Sequence, residues 1–217
     1  MFLKKLDEQL TIALEQEGFE KPTPIQKKTI GKMKSGRDCL FIAPEQSGKT
    51  TAIVITVIQQ LKEALNDVPR ALIVVEDRAK AEALKEQFDL LAEHTDLRVF
   101  AVFQGEHMLK QRDRVYAGCD VLIGPAKFLN ELYSNSGMNL NGLKMYIIDD
   151  GYAVFKHEIT SQIDRLTTST PDAQRIVFTT EMNVRINDYL EYYMIAPEIV
   201  ELKEEANEEA SEENNKE

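Results

Sequence analysis

The chain has 217 residues, with 26 Lys and Arg against 37 Asp and Glu, for a formal net charge of -11. That length can bury a core of one large domain or two small ones. The charge excludes non-specific polyanion binding by the whole surface, and no apolar run approaches the ~20 residues of a membrane span.

In chain order, residues 6–17 read as an amphipathic helix, with no signal peptide before it. Thr23 suits a helix N-cap and Pro24 the first helical position. Apolar runs at 39–43, 71–75, 99–103, 121–123, 145–148 and 176–178 predict strands. They are continuous rather than alternating, as expected of strands buried on both faces. Between them, apolar stripes mark helices: Val54, Ile58, Leu61 and Leu65; then Leu84, Phe88 and Leu91; then Phe155, Ile159, Ile163 and Leu166. The alternation predicts an α/β fold of three layers, a mainly parallel sheet with helices on both faces. Ligands in such sheets bind at the carboxyl ends of the strands.

Cys39 and Cys119 each adjoin a strand-like run and read as small core residues, consistent with a reducing, cytoplasmic setting. The three histidines are scattered, with no Cys/His cluster of zinc spacing. Lys110, Arg112 and Arg114 form a small basic cluster of the kind usually found on a solvated helix face. Residues 203–217 are almost entirely Glu, Asn, Ala, Ser and Lys, which predicts a disordered acidic tail. Residues 201–217 hold eight acids and two lysines, so this end accounts for -6 of the -11.

Two patterns carry chemistry. After the first strand comes Ala43-Pro44-Glu45-Gln46-Ser47-Gly48-Lys49-Thr50, then a helix. A strand, a tight turn ending Gly-Lys-Thr and a helix N-terminus form an anion site, with backbone N–H groups from Ser47 and Gly48 onward facing a phosphate. Lys49 reaches the β/γ-phosphates, and the Thr50 hydroxyl reaches Mg²⁺. The second pattern is Ile147-Ile148-Asp149-Asp150-Gly151-Tyr152, an acidic pair at the end of an apolar strand.

Together with Gly18-Phe19-Glu20-Lys21-Pro22-Thr23-Pro24-Ile25-Gln26, these segments resemble the first RecA-like domain of the DEAD-box RNA helicases, over residues 2–202. The resemblance implies a RecA-like domain with an N-terminal adenine-recognition helix, followed by the tail at 203–217. It implies ATP or ADP and Mg²⁺ as ligands. Phe19 would stack on adenine, and Gln26 would hydrogen-bond the base edge, since an amide offers a donor and an acceptor together. Phe2 stands near the place of the family's upstream aromatic. Asp149 would hold Mg²⁺, and Asp150 would take the place of the glutamate that orients the attacking water. Arg78, Gly105 and Lys127 occupy positions of the RNA-facing motifs.

The departures from the family are specific. Ala43 stands for the first glycine of the phosphate loop and Gln46 for another, although Pro44, Glu45 and a non-glycine at 46 also occur in the similar loop of the RecA recombinases. Asp150 is one methylene shorter than glutamate, a shortfall that costs ~10²-fold when positioning supplies the catalysis. Tyr152 replaces the last aspartate of the motif. Thr179-Thr180-Glu181 replaces the Ser-Ala-Thr that partners it, and a Tyr152–Glu181 hydrogen bond is the conceivable substitute. Glu76 and Asp77 add negative charge beside Arg78. Residues after Leu202 are too few to form the family's second RecA-like domain, whose arginines are worth ~10³–10⁵ in related phosphoryl transfer.

The expected function is therefore a single ATP-binding helicase-like domain with weak or no hydrolysis and no unwinding alone. One alternative is an ATPase subunit of an RNA helicase, completed in trans by a protein carrying the second domain. The other is a non-enzymatic interaction module with an acidic tail.

Overall fold

A computed structural model describes residues 2–65, 67–156 and 160–202. A 3-10 turn at Leu3–Lys5 precedes α1 (Glu8–Gln16) and α2 (Pro24–Met33). Then follow β1 (Cys39–Ile42), α3 (Lys49–Leu61), β2 (Ala71–Val75), α4 (Arg78–Leu91), β3 (Val99–Ala101) and α5 (Met108–Tyr116). The chain continues through β4 (Val121–Pro125), α6 (Ala126–Ser134), β5 (Met145–Ile148), α7 (Gly151–Val154) and α8 (Thr160–Thr168). It ends in β6 (Gln174–Thr179), α9 (Val184–Tyr193) and β7 (Glu198–Glu201). Thr23 is the N-cap of α2 and Pro24 opens it, as expected from a fixed φ where no N–H is needed.

The seven strands form one parallel sheet in the order β3-β4-β2-β5-β6-β1-β7. Alternate side chains of each strand go to opposite faces. Cys39 and Phe41 pack with residues of α1 to α4, whereas Leu40 packs with residues of α6, α8 and α9. Ile73 and Ile147 join the first cluster; Leu72 and Tyr146 join the second. This two-sided burial is why the strand segments lack polar alternation. Both cysteines are buried and unpaired.

Three readings change. The stripe ending at Leu65 overshoots: α3 stops at Leu61, Lys62 turns to φ 62° and Leu65 is exposed. Phe155 and Ile163 belong to no single helix, because α7 ends at Val154 and α8 starts at Thr160, while Ile159 lies outside the described residues. A seventh strand, β7, pairs with β1 at the sheet edge. The tail at 203–217 also lies outside the described residues.

Candidate functional site

The turn after β1 must bring backbone N–H groups to face one point, and its dihedrals show how. Gln46 sits at φ 57° and Gly48 at φ 93°, both left-handed. Glycine fits such a conformation freely, whereas a residue with a Cβ is strained there by about 1–2 kcal/mol. The strain in this loop therefore falls on Gln46. Ala43 is not among the residues with positive φ, so its Cβ carries no such penalty. Gly48 has a second constraint, since a Cβ there would meet Gln26 Nε2 at 2.7 Å.

Gly48 is the N-cap of α3, and Lys49 and Thr50 are its first residues. Lys49 Nζ donates to the carbonyls of Ala43 (2.8 Å) and Pro44 (2.7 Å), so the ammonium is held over the loop's own mouth. Burial pulls its pKa below the usual lysine range, and the charges of Asp150, Asp149 and Glu45 work against that. The Ser47 hydroxyl oxygen is buried with no hydrogen-bond partner among the described residues. An unsatisfied buried hydroxyl beside an N-terminal helix turn suits a bound anion.

The acidic pair follows β5. Asp149 is 8% exposed, and Thr50 Oγ1 donates to its Oδ2 at 3.5 Å. Burial, then the neighbouring Asp150 charge, raises its pKa to about 6, against the opposing charges of Lys80 and Lys49. The Thr50–Asp149 oxygen pair has the hard-donor chemistry of a Mg²⁺ site. Among the described residues no group of three or more His, Cys, Asp or Glu could hold a metal. Asp150 is at φ 60° and caps α7, its carboxylate accepting from Ala153 N–H at 3.3 Å.

Lys49, Thr50, Asp149 and Asp150 line one cavity of about 330 Å³ with Glu45, Gln46, Gly48, Thr51, Val75, Glu76, Lys80 and Thr180. The neighbours β2, β5, β6 and β1 all present their carboxyl ends to it. Phe19 is elsewhere: it lines a smaller, mainly apolar cleft with Leu14, Glu17, Gln87, Leu90 and Leu91. Thr51 belongs to both linings. Gln26 is 3% exposed; its Oε1 accepts from Thr23 N–H (2.8 Å), and its Nε2 donates to the Gly48 carbonyl at 3.5 Å. In this state the amide braces the loop against α2. Phe2 packs against the core cluster beside Leu10 and Leu14.

The strand-end link is not a Tyr152–Glu181 side-chain pair. Tyr152 N–H donates to Thr179 Oγ1 (3.1 Å), which donates to the Glu181 carbonyl (2.7 Å). The Tyr152 ring lies under the Lys156 ammonium at 4.4 Å.

Arg78 and Gly105 come together. The guanidinium stacks on Phe103 at 4.6 Å and donates to the Gln104 carbonyl (3.3 Å), and a Cβ on Gly105 would meet Arg78 Nη1 at 2.7 Å. Arg78 is also paired with Glu82 at 2.8 Å. Lys127 is exposed at the start of α6. In the basic cluster, Arg112 pairs with Asp113 at 3.3 Å and Arg114 with Glu106, so little uncompensated charge is left on α5.

Sequence reasoning missed Lys80. It sits in the first turn of α4, where periodicity marks only an exposed polar position. Only the pairing of β2 beside β5 carries it to the acidic pair.

The comparisons with known proteins fit this geometry. The chain is 25% identical over 205 residues to DEAD-box ATP-dependent RNA helicase 8 of Arabidopsis thaliana, covering 94% of this chain and 40% of that protein. Its fold is similar to the yeast DEAD-box splicing factor Prp28 (TM-score 0.84, 22% identity, 93% of this chain and 50% of that one). It is also similar to a DEAD box protein from the hyperthermophile Methanococcus jannaschii (TM-score 0.85, 20% identity, 91% and 54%). The chain thus spans less than half the length of the curated relatives it matches. The DEAD/DEAH box helicase domain matches residues 23–188, and the chain belongs to that family.

Proposed function

We propose that residues 1–202 form a nucleotide-binding RecA-like domain that takes ATP or ADP with Mg²⁺, hydrolyses ATP at most feebly alone, and does not unwind RNA alone. The carrying observation is the single cavity that joins Lys49, Thr50, Asp149 and the left-handed loop at Gly48. On this reading Lys49 exchanges the Ala43 and Pro44 carbonyls for β- and γ-phosphate oxygens. The Gly48 N–H and its neighbours hold the phosphates, Ser47 gains its missing partner, and Thr50 and Asp149 hold the cation. Bound Mg²⁺ supplies charge neutralisation at the phosphates. Phe19 stacks on the base in the apolar cleft, and Gln26 turns its amide from the loop to the base edge.

Feeble turnover follows from Asp150. Its short carboxylate is turned to the Ala153 N–H, away from a role in orienting water. RNA contact through Arg78, Gly105 and Lys127 is weak on this reading, because Glu82 already neutralises Arg78. Titration with a fluorescent ADP tests the proposal: wild type binds, and Lys49→Ala loses at least ~10-fold in affinity, as expected for a charge-assisted contact. Equal binding by both proteins, or none by either, refutes it.

A second reading is an ATPase completed in trans by another RecA-like domain. On this reading the groups that would complete the site lie outside the matched span, which is 40% of DEAD-box ATP-dependent RNA helicase 8 of Arabidopsis thaliana. RNA-stimulated turnover that appears only when a second-domain protein is added supports this reading; turnover that stays at background with every fraction and RNA added removes it.

A further inference from the structure

α4 carries three cations, and two are neutralised within the helix. Arg78 pairs with Glu82 at 2.8 Å and Lys85 with Asp89 at 2.6 Å, each four residues on. Lys80 has Leu84 at that spacing and makes no salt bridge among the described residues. Its backbone N–H is taken by the Asp77 cap at 2.9 Å, so helix start and side chain are independent. The side chain instead lines the phosphate cavity.

Strand order sets its direction of approach. Along β2-β5-β6-β1, Lys80 enters from the β2 side and Lys49 from the β1 side, with Asp149 and Asp150 between them after β5. The lining holds four carboxylates, from Glu45, Glu76, Asp149 and Asp150, against only these two ammonium groups. Without Lys80, a polyanionic ligand would meet one cation and four carboxylates. Lys49 approaches the β- and γ-phosphates from the α3 side, and Lys80 stands on the opposite, β2 side of the same cavity, where a second oxygen of the terminal phosphate would face it.

We propose that Lys80 is a second phosphate ligand of this site, directed at the terminal phosphate of a nucleoside triphosphate, so that the domain distinguishes triphosphate from diphosphate. This rests on the nucleotide reading above. A lysine suits the role as a flexible point charge, and one charge-assisted contact corresponds to about a tenfold change in affinity or more.

The test is equilibrium titration of wild type, Lys80→Ala and Lys80→Arg with Mg²⁺–AMP-PNP and Mg²⁺–ADP, with thermal unfolding as a fold check. Lys80→Ala is expected to weaken AMP-PNP about tenfold or more and to leave ADP within about threefold, while Lys80→Arg retains most of the preference. If wild type binds both ligands and Lys80→Ala leaves both unchanged, or weakens both equally, Lys80 only balances charge and the proposal falls while nucleotide binding stands. If wild type binds neither, both readings fall together.

Discussion

At the amino edge of the sheet, Asp120 is completely buried before β4 and accepts from Arg70 Nη2 (2.7 Å), Arg98 Nε (2.8 Å) and the N–H groups of Leu65 and Arg98 (both 3.1 Å). Burial pushes its pKa up, but these hydrogen bonds outweigh it and the net direction is downward. Asp38, also buried before its strand, accepts from Arg175 N–H (2.7 Å) and Ile195 N–H (2.8 Å). At the carboxyl edge, Asp149 is as deeply placed as Asp38, yet it has a neighbouring carboxylate, one long hydrogen bond to Thr50 and a pKa raised to about 6. Gln46 and Asp150 are left-handed there, and Ser47 Oγ has no partner among the described residues. Two buried carboxylates thus shift in opposite directions, Asp120 down and Asp149 up, set by what surrounds each charge. At the amino edge Asp120 and Asp38 tie strands together through several hydrogen bonds each; the carboxyl edge holds capacity that a ligand can satisfy.

Three changes break or sharpen this contrast. The largest is Asp120→Asn, which leaves the buried Arg70 and the half-buried Arg98 short of their shared anion and should cost about 3–5 kcal/mol of unfolding free energy. Urea denaturation measures it, and nucleotide affinity per folded molecule should not move. A loss below ~1 kcal/mol would show that the network is not what holds the amino edge.

Next is Asp149→Asn, with the opposite sign. The folded pKa of about 6 lies above the ordinary 3.8, so the favourable contribution is present below ~4 and is lost as pH rises through about 6. The ligand-free variant should be more stable than wild type by roughly 2–3 kcal/mol at pH 8 and equal to it near pH 4. Thermal or urea unfolding across that range decides the matter, and a difference independent of pH would contradict the assignment.

The smallest is Gln46→Gly, which removes the left-handed Cβ. After allowance for glycine's greater freedom in the unfolded chain, it should stabilise the ligand-free protein by about 1 kcal/mol or less. Destabilisation on the same measurement would mean that the Gln46 side chain makes contacts that matter more than its backbone conformation.

How much of this was legible follows from particular residues. The strands β1, β2 and β5 are short apolar runs with no competing signal, and the turn at Gly48-Lys49-Thr50 is local in sequence, so both were readable. The edge strand β7 was not. Glu198 and Glu201 flank Ile199, which is 61% exposed, and Val200, which is 7% exposed, so no buried run exists to detect. Its pairing with β1 is accompanied by contacts of Glu198 with Lys32 and Arg37, more than 150 residues away in the chain. The Leu65 error has a visible cause: apolar spacing continues in phase past Lys62, where a positive φ ends the helix. At the site, the use of Asp150 as the α7 cap depends on backbone geometry that residue type does not encode.

Residue order alone determined the α/β class, the phosphate-type loop and the acidic strand end, because each is a contiguous pattern whose chemistry depends on spacing along the chain. The tertiary structure decided what stands beside what. β1 and β2 are consecutive strands in the chain, yet β6 and β5 lie between them in the sheet. A parallel crossover does not state in its own residues which strand it will return beside. For that reason the meeting of Lys49, Asp149 and Lys80 in one cavity is a product of the packed sheet, in which burial of every central strand on both faces selects a single order.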